Sequence, residues 1–148
     1  MTEQQVSRML KRAHQQRNLL NSIKRRYDNI RKISGPYGAD PSMPPISGGE
    51  DKDLSYTLAA TEEQTTILAK TYYKELYKMR TLEKEIYDLI CLCKNEEAKS
   101  VLIDRFINDM AWDDIAREHN YSRACVFDYR QRGIQEIAKK SKNFKKSC

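Results

Sequence analysis

Apolar residues near the start of the chain recur at three- and four-residue intervals, the period of one face of an α-helix. The pattern predicts a helix over residues 3–33, with a polar gap at Gln16 and Arg17. The apolar stripe consists of Val6, Leu10, Ala13, Leu20, Ile23, Tyr27 and Ile30. Residues 1–33 hold nine Lys/Arg against two Asp/Glu, net +7. So basic a helix either binds a polyanionic partner or exposes a solvated face.

A second apolar stripe keeps near-heptad steps through residues 54–93, which contain no Gly or Pro. It consists of Thr65, Leu68, Tyr72, Leu76, Met79, Leu82 or Glu83, Ile86, Leu89 and Cys93. This spacing predicts a long helix suited to coiled-coil packing. Its partner is either the first helix, folded back, or the same helix of another subunit, and we expect a homo-oligomer assembled through the long helices.

Between the two predicted helices lies the segment 34–53, SGPYGADPSMPPISGGEDKD. All four prolines and four of the five glycines of the chain stand here. Proline lacks the backbone donor that a helix needs, and glycine resists ordering. We predict a flexible linker.

After residue 94 the apolar pattern shortens into three helices. The first covers about 95–108, the second begins near Trp112, and the third follows Ser122, a favourable N-cap. Inward positions of the first are Val101, Leu102, Phe106 and Ile107. The predicted fold class is all-α: long helices followed by a trihelical domain over 94–148 with a basic tail.

The stretch AWDDIAREHNYSRACVFDYRQRGI, residues 111–134, has the features of a helix-turn-helix: apolar residues on both helices, a small residue at their crossing and a tight turn. Asn120 stands at the turn, where Asn tolerates left-handed backbone. The predicted core of the motif consists of Trp112, Ile115, Ala116, Tyr121, Val126, Tyr129 and Ile134.

If those residues face inward, the opposite side of the second motif helix forms an exposed strip of side chains suited to base edges in a DNA groove. The strip consists of Arg123, Ala124, Phe127, Asp128 and Gln131. An exposed Phe127 and Cys125 would be unusual on a merely solvated face. Candidate phosphate contacts are Ser122, Arg130, Arg132, Lys139, Lys140 and Lys142, followed by Lys145 and Lys146. The alternative is a trihelical packing module with no DNA contact.

The segment VLIDRFINDMAWDDIAREHNYSRACVFDYRQRGIQEIAK also resembles region 4 of sigma-70-type factors, a helix-turn-helix that reads promoter DNA. The whole chain is similar to RinA/ArpU-like phage regulators in its basic first helix, its Pro/Gly segment before DLSYTLA, its long helix and its terminal domain. RFINDMAWDDIAREHNYS contains most of this match.

The resemblance implies a helical activator of late phage genes, including packaging and lysis genes, in the nucleoid of a bacterial host. Arg123, Ala124, Phe127 and Asp128 match the promoter-contacting face of region 4, and Ser122 matches its helix cap. Two departures stand out. The family often has a basic residue or His near Tyr129–Arg130, and often Gly at Asn120 or Asp109.

Other classes of function find little support in the sequence. Adjacent Asp113 and Asp114 cannot converge on one site from a helix, and no phosphate-binding Gly loop, nucleophile elbow or metal motif is present, so we expect no enzyme activity, no metal and no cofactor. No apolar run is long enough for a membrane span and the N-terminus lacks a signal-peptide core, which favours the cytoplasm. The four cysteines lack disulfide or zinc spacing and are expected to be free thiols.

Three functions therefore remain open. The first is a sequence-specific regulator that binds double-stranded DNA and contacts RNA polymerase. The second is a DNA-packaging protein of the small-terminase kind. The third is a coiled-coil protein that binds polymerase or a regulator without touching DNA. The first two functions use the exposed strip on the second motif helix to contact DNA, whereas the third function leaves the strip without a role. The strip therefore distinguishes the third function from the other two.

Overall fold

A computed structural model describes residues 1–34 and 51–144 of the chain, and the side chains of 1–32 and 59–142. These residues form five helices, which confirms the predicted all-α class. In chain order they are α1 Glu3–Ser34, α2 Asp51–Ile90, α3 Glu96–Phe106, α4 Trp112–Glu118 and α5 Arg123–Phe144. The predicted linker lies outside the described residues except for its ends, since Ser34 closes α1 and α2 begins at Asp51.

The chain divides into two compact units. The larger unit consists of Met1–Arg17 and Lys78–Cys148, and the smaller unit is Asn18–Tyr77. The larger unit thus contains the first half of α1 and the end of α2 in addition to α3, α4 and α5.

Apolar residues from all five helices are buried in the larger unit. They include members of both predicted stripes, with Met79, Leu82 and Ile86 of α2 almost inaccessible to solvent. At the end of α2, which is Ile90 and not the predicted residue 93, Ile90 is buried and the predicted Leu89 is half-buried. The remaining members are Val6, Leu10, Ala13, Cys93, Ala98, Val101, Leu102, Phe106, Ile115, Val126, Ile134, Ile137 and Ala138. All five helices thus contribute residues to this core, whereas a pair of helices can bury only the seam between them.

Side-chain and backbone caps define the short helices. The Asn95 side chain accepts a hydrogen bond from the amide of Ala98 at 2.7 Å, so α3 begins one residue later than the predicted 95. After Phe106 the chain reverses, the amide of Met110 donates to the Asp104 carbonyl at 2.9 Å, and Asp109 takes φ 57°. This left-handed backbone ends α3 before the predicted residue 108.

Arg17, in the polar gap of the α1 stripe, connects α1 to α2 and to the end of α3. The Arg17 side chain is only 16% exposed, and its Nη2 lies 2.7 Å from Glu83 Oε1 on α2. Its guanidinium also donates to the carbonyls of Phe106, at 3.2 Å, and Ile107, where α3 ends. A guanidinium complements these unpaired carbonyls at the negative end of a helix. Within the larger unit, α1 therefore pairs with α2 of the same chain.

In the smaller unit the predicted stripes are present but shallower. Leu20 is buried, whereas Ile23, Tyr27 and Ile30 are half-buried. Half-buried residues of α2 continue the second stripe at Thr65, Leu68, Tyr72 and Leu76. A small groove brings residues of both helices together, lined by Lys24, Tyr27, Asp28, Ala69, Tyr72 and Tyr73. Here too the first helix lies against the second within one chain. A homo-oligomer remains a prediction.

Candidate functional site

A tight corner connects α4 to α5. The amide of His119 donates to the Ile115 carbonyl, Asn120 takes φ 55°, and the amide of Tyr121 returns to the Ala116 carbonyl at 2.9 Å. Asn120 therefore adopts the left-handed conformation expected of it at the turn. His119 is fixed in addition by a 2.7 Å contact between its Nε2 and Asp104 Oδ2 and by stacking on Tyr121.

The start of α5 is set by Ser122. Its hydroxyl oxygen accepts a hydrogen bond from the amide of Cys125 at 3.2 Å, as expected of an N-cap. Because Ser122 caps the helix, α5 begins at Arg123, directly after the corner.

The predicted core of the corner is assembled. Val101, Ile115 and Val126 form its buried centre, one from each of α3, α4 and α5. Around them pack the half-buried Met110, Trp112, Ala116, Tyr121 and Tyr129. Ile134, the last predicted member, is buried further along α5. With these side chains facing inward, the opposite side of α5 is turned to solvent.

Four of the five predicted strip residues are exposed: Arg123, Ala124, Asp128 and Gln131. We call these four the α5 strip. Arg123 Nε lies 3.7 Å from Asp113 Oδ1, an exposed pair of the kind that contributes little to stability. Asp128 Oδ2 lies 3.4 Å from Arg132 Nη2, and Gln131 Nε2 donates to Glu3 Oε2 of α1 at 3.0 Å.

The prediction that Phe127 and Cys125 are exposed is wrong, because both are half-buried. The Phe127 ring packs at 5.0 Å against Trp112, and the Arg123 guanidinium lies 5.9 Å from its centre. On a helical wheel position 127 lies within the strip, between Arg123 and Gln131, but the large indole of Trp112 on α4 packs against the ring and covers part of it. Phe127 therefore supports the strip rather than extending it.

The candidate phosphate contacts fall into two groups. Arg132, Lys139 and Lys142 are exposed on α5, which continues to Phe144, so the last two lie on a helix and not in a tail. The prediction that Lys140 contacts phosphate has to be corrected, because its ammonium already donates to the Leu92 carbonyl at 2.7 Å and to Glu136 at 2.8 Å. Arg130 is half-buried beside Trp112. Lys145 and Lys146 lie outside the described residues.

Glu136 organises a polar cluster that the sequence did not reveal. Its carboxylate accepts hydrogen bonds from Lys140, from the Cys93 thiol at 3.2 Å and from the amides of Lys94, at 3.0 Å, and Asn95, at 3.3 Å. The hydrogen bond from Lys140 is the main cause that lowers the pKa of Glu136 to about 2. Burial, followed by the neighbouring Glu136, raises the pKa of the Cys93 thiol to about 11. A raised pKa favours the protonated thiol, and Cys93 is also buried.

Two further features were missed by sequence reasoning, although each left a sign. Arg17 interrupts an apolar stripe at an inward position, and an inward arginine needs partners. Gly133 is the one glycine outside the 34–53 segment. It lies within α5, where a Cβ would stand 2.7 Å from Leu102 Cδ1, so its lack of a side chain permits close packing on α3.

Compared with known proteins, the chain matches no family model, no curated protein and no solved structure. Within the described ranges, no helix contains an apolar stretch long enough to cross a membrane. The same ranges contain no group of three His, Cys, Asp or Glu side chains arranged to hold a metal ion. The chemistry of the α5 strip and its neighbours is therefore the basis for assigning a function.

Proposed function

We propose that this chain is a sequence-specific, double-stranded DNA-binding regulator of transcription, with α4 and α5 as its helix-turn-helix. The observation that supports the proposal best is the α5 strip, which starts immediately beyond a tight, capped corner. In helix-turn-helix proteins, the first residues of the second helix are the ones that reach base edges in the major groove. By resemblance to RinA/ArpU-like regulators, the regulated genes are late phage genes and the effect is activation.

The side chains of the α5 strip have the chemistry that base edges require. Arg123 can bind guanine bidentately, Ala124 can contact the thymine methyl group, and Asp128 can accept from cytosine. Gln131 can bind adenine once it leaves Glu3, and the exposed contact between them is easily exchanged. The strip is thus concentrated at Arg123, Ala124 and Asp128, nearest the corner.

Exposed cations supply the sequence-independent part of the affinity. Arg132, Lys139 and Lys142 follow the strip along α5 without being buried. Contacts from such residues to phosphates release counterions and make binding weaken as salt rises. Lys140 is left out of this set, since its ammonium is held by Glu136 and Leu92.

The experiment has two stages. Genomic fragments bound by the protein are first captured and sequenced, and the selected duplex is then titrated against a scrambled one. Arg123→Ala should weaken binding to the selected duplex by about 1–3 kcal/mol, the contribution of one good base contact. Binding to the scrambled duplex should change little. Arg117→Ala is the matched control, because Arg117 is exposed on α4 and lies off the strip.

Asp113 gives a second, opposite test of the same surface. Its carboxylate lies close to the Arg123 guanidinium of the neighbouring helix, and it would repel phosphates that approach this surface. Asp113→Asn should therefore tighten binding to both duplexes. If Arg123→Ala lost the same affinity for both duplexes, Arg123 would be binding phosphate and not a base. Enrichment of fragments only from a packaging site would favour the small-terminase function.

A coiled-coil protein that binds polymerase or a regulator without DNA is the second candidate. Exposed apolar residues in the smaller unit favour it, with Ile67 56% and Tyr73 68% accessible. The absence of any enriched fragment, together with unchanged behaviour of Arg123→Ala, would select this candidate over the regulator.

A further inference from the structure

A cleft with a volume of about 320 Å³ opens in the larger unit, beside the α5 strip but separate from it. Side chains from α1, α3, α4 and α5 line it: Lys11, His14, Gln15, Arg105, Phe106, Trp112, Phe127 and Arg130. Three of these residues are permanent cations, and the lining contains no Asp or Glu. A concave surface with one sign of charge over apolar walls concentrates the electric field on an anion.

Two guanidiniums lie near the indole of Trp112, which lines this cleft. The centre of the Trp112 ring lies 4.9 Å from Arg105 Cζ and 5.7 Å from Arg130 Cζ. Arg105 uses one nitrogen to donate to the Met110 carbonyl at 2.8 Å. Arg130 Nε is buried and, among the described residues, has no hydrogen-bond partner. Two like charges on one ring, one of them with an unsatisfied donor, favour a negatively charged group nearby.

The wall from α1 adds donors and one nearby carboxylate. Lys11 and Gln15 are exposed at the mouth of the cleft. The carboxylate near this wall belongs to Asp109, whose Oδ1 lies 2.9 Å from His14 Nδ1 and 3.6 Å from Arg17 Nη1. Asp109 is therefore engaged by two other groups, and among the described residues it forms no ion pair with Lys11, Arg105 or Arg130.

We propose that this cleft binds a phosphate group, either of a free phosphate compound or of a nucleic-acid backbone. Lys11, Arg105 and Arg130 line the same cleft as Gln15 and His14, and the four oxygens of a tetrahedral oxyanion can accept from donors on several sides. A planar carboxylate has two oxygens and would leave more of these donors unsatisfied. An aromatic ligand is disfavoured, because the guanidiniums and Phe127 already cover the Trp112 ring. The cleft is independent of the α5 strip, so the proposal does not depend on DNA reading.

Trp112 is the only tryptophan of the chain and it lines the cleft, so its fluorescence reports on occupation. The full chain is titrated with sodium phosphate at constant ionic strength, with sodium chloride and sodium acetate as parallel series. Phosphate should give a saturable change, and the other two salts should not. A response no different from that to chloride, or saturation by acetate alone, would overturn the proposal.

Two pairs of variants test the residues. Arg130→Gln and Lys11→Gln should each weaken phosphate binding by about tenfold or more, because each removes a charged donor. Arg117→Gln and Arg12→Gln are the controls, since both remove an exposed cation outside the lining, and they should bind as the unmodified chain does. Lys11 lies on the exposed side of α1, so its variant remains informative if Arg130→Gln disturbs packing. Unchanged binding in both cleft variants would overturn the assignment.

A third series identifies the source of the phosphate and separates this proposal from the function proposed above. A short duplex of scrambled sequence is added to the protein at saturating phosphate. Competition between them indicates that the cleft takes a backbone phosphate. Phosphate binding without competition indicates a free phosphate compound. A chain that binds phosphate but enriches no DNA fragment would reject the proposed DNA reading and retain the cleft.

Discussion

The first helix contributes to both compact units, and it is buried to different depths in the two. In the larger unit Val6 and Leu10 on α1 have no accessible surface. In the smaller unit Leu20 is 7% accessible, Ile23 is half-buried, and the neighbouring Leu19 is 46% exposed. One helix therefore contributes unequally along its length, although its apolar residues keep three- and four-residue spacing on both sides of the polar gap.

The difference follows from the number of helices around the stripe. In the larger unit α3, α4 and α5 close the sides that α1 and α2 leave open. In the smaller unit the described residues belong to α1 and α2 only, and two helices bury one seam between them. An apolar stripe read from sequence thus gives the side of a helix that faces inward, while the depth of burial depends on elements distant in the chain.

The largest expected effect compares one leucine in each unit. Leu10→Ala should lower the free energy of unfolding by about 2–5 kcal/mol, because a fully buried leucine leaves a cavity. Leu68→Ala, at a half-buried position of the smaller unit, should cost about 1 kcal/mol, since less apolar surface returns to water. Urea unfolding followed by circular dichroism measures both.

Leu19→Ala is the control for this comparison, as an exposed leucine on α1 that should cost less than about 0.5 kcal/mol. Equal losses for Leu10→Ala and Leu68→Ala would contradict the difference in depth. They would be expected if a second chain covered the smaller unit, and light scattering would then detect the oligomer that the heptad spacing predicts.

The helices were predictable because local features define them. The apolar period, the prolines, the N-cap Ser122 and the left-handed turn at Asn120 all act within a few residues. The inward side of each long helix followed from the same period. The candidate core around Val126 was likewise correct, because helical spacing relative to the turn leaves few alternatives for the inward positions.

What the sequence did not predict arises from contacts between residues far apart in the chain. Phe127 was placed on the exposed strip by helical geometry, but its burial depends on Trp112, fifteen positions earlier on another helix. Lys140 has one partner four residues away, Glu136, but its other partner, Leu92, is 48 positions away. Arg17 is separated from Phe106 by 89 positions. Helical periodicity contains no information about such pairs, so charged residues in long-range contacts are easily mistaken for free ones.

Acid should weaken the larger unit through Glu136. Its folded pKa, about 2, lies below the ordinary value of 4.5, so the ionised form stabilises the fold. This stabilisation is fully present above pH 4.5 and is lost as the pH falls towards 2. Glu136→Gln should lower the free energy of unfolding near neutral pH by about 1.5–3 kcal/mol, the contribution of hydrogen bonds to a charged group. It should also flatten the decline of stability between these two pH values.

Glu118→Gln serves as the matched carboxylate control, because Glu118 is exposed on α4 of the same unit. It should stay within about 0.5 kcal/mol of the unmodified chain. Urea titrations at a series of pH values measure the slopes. Parallel declines for Glu136→Gln and the unmodified chain would show that other carboxyl groups cause the acid sensitivity of the larger unit.

The smallest effect tests how closely two helices of the larger unit approach. In Gly133→Ala the new methyl group would stand 2.7 Å from Leu102 Cδ1 and 3.4 Å from Ala98 Cβ. Alanine favours the helical conformation by about 1 kcal/mol over glycine, whereas overpacking costs about 1–3 kcal/mol, so a net loss of about 1 kcal/mol is expected. Urea unfolding of Gly133→Ala, Leu102→Val and the double variant should show a smaller combined loss than the sum, since valine lacks the atom that clashes. A more stable Gly133→Ala would mean that the Leu102 side chain moves aside at little cost, and that the close approach of α3 to α5 does not require glycine.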